Sequence, residues 1–101
     1  KHNEMASASI ITAYNPYSKI LTKEQNEIAQ IRLKLTLQEN NFSFIDAIGQ
    51  DLKYEWPPEP SFFVKNISRK DAKLIGKNFR QNAIVWIGKN LIPQLIFCYQ
   101  K

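Results

Sequence analysis

Two helix-start signals divide this chain, and they constrain its fold more than any other feature. Thr22-Lys23-Glu24-Gln25 has the form of a capping box, in which the Thr22 hydroxyl and the Gln25 side chain satisfy each other's backbone donors. Ser68 reads as a second N-cap, with Asp71 in the first turn and Ile67 placed to staple onto Ala72. The first helix runs from the box to about Gln38, with Ile28, Ile31 and Leu35 on one face, and Asn40-Asn41 ends it. The second ends near Phe79 and buries Ala72, Ile75 and Phe79.

Short strand-like runs fill the space around these helices. They are Ala8 to Ala13, Phe42 to Ile48 closed by Gly49, Ser61 to Lys65, Ala83 to Ile87, and Gln94 to Tyr99. The wholly apolar Ala83–Ile87 run belongs inside a sheet, Gly88-Lys89-Asn90 makes a hairpin turn, and Pro93 pushes the last strand to an edge or delays its start. Between them, Tyr54-Glu55-Trp56-Pro57-Pro58-Glu59-Pro60 is stiff and extended, because its prolines fix φ and remove donors. The order is β-α-β-β-α-β-β. It implies an α+β fold: a mixed sheet of about five strands with two helices mainly on one face, leaving the other face free for a ligand or partner.

At 101 residues this is a single domain spanning 1–101. A chain that opens at Lys1 is expected to be a piece of a larger protein. The 44% apolar and 23% charged composition is that of a folded globule, and no apolar run approaches the roughly 20 residues of a membrane span. Cytoplasmic location, without membrane contact, is the expectation. The lone Cys98 excludes an internal disulfide and a Cys-rich zinc site, and it reads as a small buried hydrophobe. His2 is the single histidine, so serine–histidine or cysteine–histidine catalysis has little support, and the leading expectation assigns neither catalytic nor metal-ligating residues. A net charge of +5 and a pI near 9.4 favour anionic partners such as nucleotides or nucleic acid.

Four clusters carry polar chemistry. The first is the turn Thr12-Ala13-Tyr14-Asn15-Pro16-Tyr17-Ser18, between the first strand and the first helix. Pro16 is expected to hold Asn15 extended. The Asn15 amide offers the donor–acceptor pair an adenine edge asks for, and tyrosine faces stack on bases. An ordinary Asn-Pro turn is the competing reading. The second is Tyr54 and Trp56 with Glu59, whose carboxylate is pre-set between Pro58 and Pro60 to meet a ribose hydroxyl, to bind a metal through phosphate or to act as a base; a stiff loop with a solvated glutamate is the alternative. The third is the basic stripe Arg69, Lys73, Lys77 and Arg80, either a solvated face or a phosphate contact. The fourth is Arg80-Gln81-Asn82, two amides at the start of a buried strand, with helix capping by Asn82 as the plain explanation. The glycines Gly49, Gly76 and Gly88 are isolated, so there is no phosphate loop.

The series Thr12-Ala13-Tyr14-Asn15-Pro16, Asn26, Gly49, Glu59-Pro60-Ser61-Phe62 and Phe79-Arg80-Gln81-Asn82-Ala83-Ile84 resembles a small bacterial family of unknown function with an AYNP turn and an F-x-Q-x-A motif. That resemblance spans nearly the whole chain and implies a fold and a shared site rather than a reaction. The chain is also similar in size and style to KLAMP domains of secreted bacterial effectors. This second resemblance implies an adenine-nucleotide-binding module in which Tyr14, Tyr17 or Tyr54 stacks on the base, carried by an effector into a host cell.

Asn15, Asn26, Glu59 and Gln81 all fall at element boundaries. If those boundaries share one end of the sheet, they form a polar floor rimmed by Tyr14, Tyr17 and Trp56. The first expectation is a non-catalytic module binding ADP, ATP or cyclic AMP, with Lys77 and Arg80 on phosphate and neighbouring domains as further partners. The alternatives are an enzyme acting on nucleotides or nucleic acid with Glu59 as base or metal ligand, and an interaction module docking through the bare sheet face or the Pro-rich loop.

Overall fold

The computed structural model describes residues 6–49 and 58–98. The expected elements are all present: β1 (Ala8–Ile11), α1 (Lys23–Glu39), β2 (Ser43–Gly49), β3 (Glu59–Lys65), α2 (Arg69–Asn78), β4 (Ala83–Ile87) and β5 (Pro93–Phe97). A single 3-10 turn, Pro16–Ser18, lies between β1 and α1.

Both helices begin where their caps dictate. Thr22 Oγ1 accepts from Gln25 N at 3.1 Å and Gln25 Oε1 accepts from Thr22 N at 3.1 Å, closing the box in both directions. Ser68 Oγ accepts from Asp71 N at 3.0 Å. Both helices end on a left-handed residue, Asn41 (φ 62°) and Arg80 (φ 59°). In each case the next residue's N–H reaches back to a carbonyl five residues earlier: Phe42 N to Leu37 O, and Gln81 N to Gly76 O. This is a Schellman ending, so Arg80 rather than Asn82 closes α2.

The sheet order is β2-β3-β1-β4-β5, and all four pairings are antiparallel. The expected mixed sheet is corrected on this point. β1 and β2 run parallel, but β3 inserts between them; β3 and β4 run parallel, but β1 inserts between them. Each β-α-β crossover is therefore split, as in ferredoxin-like topologies, and no parallel pair is adjacent. β4 is interior and β5 is an edge, as the apolar run and Pro93 implied.

Both helices pack on one face, where a single core joins Leu33 and Leu37 of α1 to Ala72 and Ile75 of α2 across Ile11, Val64 and Ile84. Burying each large aliphatic side chain there contributes about 1.5–3 kcal/mol. α2 buries the face that was expected, Ala72 and Ile75 with Phe79 packed alongside. α1 does not bury its most regular apolar stripe. Ile28, Ile31 and Leu35 are at least half exposed, while Asn26, Leu33 and Leu37 face the core. The sheet's other face is apolar and open toward its edges, with Ile45, Leu95 and Phe97 exposed.

Candidate functional site: a polar turn at one end of the sheet

The antiparallel register decides where the boundary residues meet. Ile11 pairs with Phe62, and Ile10 with Val85. The end of β1, the start of β3 and the start of β4 therefore lie at one end of the sheet, together with the start of α1 and the end of α2.

The chain leaves β1 under tight control. The Thr12 hydroxyl donates to Pro60 O at 2.7 Å and accepts from Tyr14 N at 3.0 Å. Gln30, on α1, accepts from Ala13 N at 2.9 Å through Oε1 and donates from Nε2 to Pro60 O at 3.2 Å. One helix amide thus ties the exit of β1 to the start of β3.

Asn15 follows in a left-handed conformation, φ 46° and ψ 64°, and is not extended as the following proline suggested. Its side chain outweighs the proline rule. Asn15 Oδ1 accepts from Asn26 Nδ2 at 2.9 Å and from Leu21 N at 3.0 Å, and Asn15 Nδ2 donates to Glu59 Oε2 at 3.0 Å. Asn26 Oδ1 accepts from Asn15 N at 2.8 Å. Tyr17 and Ser18 also have positive φ, 53° and 61°. Non-glycine residues in such regions cost about 1–3 kcal/mol each at most and persist where the surroundings over-determine them. Here the surroundings are the Asn15–Asn26–Glu59 network on one side and α2's end on the other. Tyr17 N donates to Arg80 O at 2.7 Å, and Gln81 Nε2 donates to Tyr14 O at 3.1 Å and Phe79 O at 3.3 Å.

Glu59 is the half-buried first residue of β3. Burial pushes its carboxyl pKa above the ordinary value, opposed by the hydrogen bond from Asn15. Among the described residues its second oxygen, Oε1, has no hydrogen-bond partner. Glu59 lines a concavity of about 270 Å³ with Tyr14, Asn15, Lys23, Asn26 and apolar neighbours including Ile20 and Leu21. A second concavity of about 320 Å³ is lined by Tyr14, Glu27, Gln30, Ile31, Lys34, Asp46 and Phe62, so Tyr14 borders both.

The structure thus brings Tyr14, Asn15, Asn26 and Glu59 together. Gln81 is buried behind the turn and supports Tyr14's carbonyl, and it lines neither concavity. Tyr17, Lys77 and Arg80 are exposed and line neither. Tyr54 and Trp56 lie outside the described residues. Lys23 and Gln30 were missed. Lys23 sits one helical turn before Asn26, and Gln30 one turn after it, so i, i+3 and i+4 spacing from Asn26 would have placed both beside it. Cys98 is buried and its thiol pKa is pushed up by that burial, as befits a core residue.

Fold and site together define a small α+β domain with split β-α-β crossovers and a hydrogen-bonded, strained turn walling a polar concavity. The chain belongs to the family described as "Protein of unknown function (DUF3293)", whose model matches residues 11–84 and so takes in Tyr14, Asn15, Asn26, Glu59 and Gln81. No curated protein and no solved structure matches it. No helix among the described residues is long and apolar enough to cross a membrane.

Proposed function

We propose that the turn concavity binds a nucleoside or nucleotide, an adenine nucleotide being the class its chemistry suits. The observation that carries this reading is the Glu59 oxygen that has no partner among the described residues, beside Tyr14 and Lys23 in one concavity. A carboxylate oxygen accepts from a ribose diol or an exocyclic amine, a tyrosine ring stacks on a base, and an ammonium group meets phosphate. At about 270 Å³ the space lies just below the roughly 300–1,000 Å³ of small-molecule sites, which suits a single nucleoside unit. Asn15 and Asn26 spend most of their capacity within the turn, on each other, on Leu21 N and on Glu59. They hold the site, and contact with the ligand's edge falls to Glu59. Phosphate contact passes from Lys77 and Arg80 to Lys23. The resemblance to effector-borne KLAMP modules supports the same ligand class and a cytoplasmic or host-cell setting.

Calorimetric titration with adenosine, ADP, ATP and cyclic AMP tests the reading. Binding should weaken at least tenfold in Glu59→Gln and in Tyr14→Ala, with the fold retained. No heat with millimolar ligand refutes it. The raised Glu59 carboxyl favours a second reading, in which Glu59 transfers a proton in nucleotide chemistry. The same Glu59→Gln variant separates the two: it would then bind normally and lose turnover.

A further inference from the structure

We infer that the outer face of α1 is a self-association seam, made for a parallel, two-fold pairing with α1 of a second copy of this chain. Ile28, Ile31 and Leu35 are 54%, 58% and 50% exposed. At 100° per residue they lie about 180° around the helix from Asn26, Leu33 and Leu37, which face the chain's own core. Ile28 and Leu35 point away from the domain, and Ile31, with Glu27 and Lys34, forms the rim of the concavity above Asp46 and Phe62, so a second copy would approach from the side opposite the core.

The spacing of three and four through Ile28, Ile31 and Leu35 is one heptad of apolar seam, with Ile28 and Leu35 at a positions and Ile31 at d; Glu24 and Gln38 end it as polar residues at the flanking d positions. The flanks then fall into complementary pairs. In a parallel pair each g position meets the next e position of its partner, which sets Glu27 against Arg32 and Lys34 against Glu39, twice each by symmetry. All four are exposed, and among the described residues none of them is in an ion pair within the chain. Ile at d with Leu at a favours higher assemblies in free helices. Here Ala29, Leu33 and Leu37 are engaged by the domain, so only the narrow face that a two-helix pairing needs remains. A two-fold pair is also self-complementary and closes.

Sedimentation of the full chain over a concentration series tests this. The mass should rise from 11.8 kDa to twice that value between micromolar and millimolar concentrations. Ile31→Glu should raise the dissociation constant at least tenfold with an unchanged circular dichroism spectrum, since Ile31 is exposed. Glu27→Arg should weaken pairing, and Glu27→Arg with Arg32→Glu should restore it. Leu35→Cys and Ile28→Cys should each oxidise to a covalent dimer, because the parallel arrangement sets both residues beside their own copies whereas an antiparallel pair can do so for one of them at most. A monomer at every concentration overturns the inference. So does a dimer that Ile31→Glu leaves intact, which would assign pairing to another surface such as the open sheet face, and so does a dimer that Leu35→Cys or Ile28→Cys fails to cross-link.

Discussion

Asn26→Ala should cost more stability than any surface substitution in the first helix, although it places a better helix former on the helix. Asn26 is 4% exposed and makes two side-chain hydrogen bonds, both to Asn15. A neutral hydrogen bond contributes about 0.5–1.5 kcal/mol, and a buried donor left without a partner costs about 1–3 kcal/mol. Alanine removes both bonds and strands the Asn15 N–H. Better helix propensity returns only about 0.5 kcal/mol. The net loss comes to roughly 2–4 kcal/mol, a large fraction of the 5–15 kcal/mol typical of a domain.

Urea unfolding followed by circular dichroism reads this directly. With a slope of about 1–3 kcal/mol/M, the midpoint should fall by roughly 1–3 M. Asn15→Gly supplies the second corner of a double-mutant cycle, because glycine adopts the left-handed backbone at no steric cost while the side-chain bonds are lost. A coupling energy of about 1–2 kcal/mol is expected. An Asn26→Ala variant within ~0.5 kcal/mol of the parent would refute the reasoning: the turn would then hold its positive-φ residues without the amide network.

Two further outcomes follow from particular groups. Because the Glu59 pKa is raised in the folded state, the folded chain holds its proton more tightly than the unfolded chain, and stability should decline as pH rises from the ordinary glutamate value of 4.5 through the raised one. Glu59→Gln should abolish that step in a pH series of unfolding midpoints, and an unchanged profile would show that the carboxyl is not desolvated. Gly76→Ala should lower the melting temperature, because an added Cβ would stand 2.6 Å from Cys98 Sγ and 2.8 Å from Ile84 Cγ2, both buried. Overpacking at about 1–3 kcal/mol exceeds the roughly 1 kcal/mol gained in helix propensity, and a raised melting temperature would show that the core yields there.

What was legible in the sequence is what depends on near neighbours. Thr22 with Gln25, and Ser68 with Asp71, declare their helices because a cap is satisfied within one turn. Sheet direction was not legible, since insertion of β3 beside β1 is set by pairing between residues about fifty apart, Ile11 with Phe62 among them. Periodicity showed that α1 carries an apolar stripe, but Ile28, Ile31 and Leu35 are spaced like a core face while the core takes Leu33, Leu37 and a buried amide instead. A helix between two surfaces has two such faces, and a count of apolar residues cannot tell which one its own domain uses. The backbone of Asn15 failed for a related reason. The proline rule is local, whereas the contacts that turn Asn15 left-handed come from Asn26 and Glu59, 11 and 44 residues away. Convergence of the boundary residues follows from the antiparallel register: the end of β1 and the starts of β3 and β4 must then share one end of the sheet. That end presents the polar groups the edge of an apolar sheet cannot otherwise satisfy. The strained turn there, together with the half-buried Glu59 carboxyl it holds, is where this fold departs from what stability alone would select.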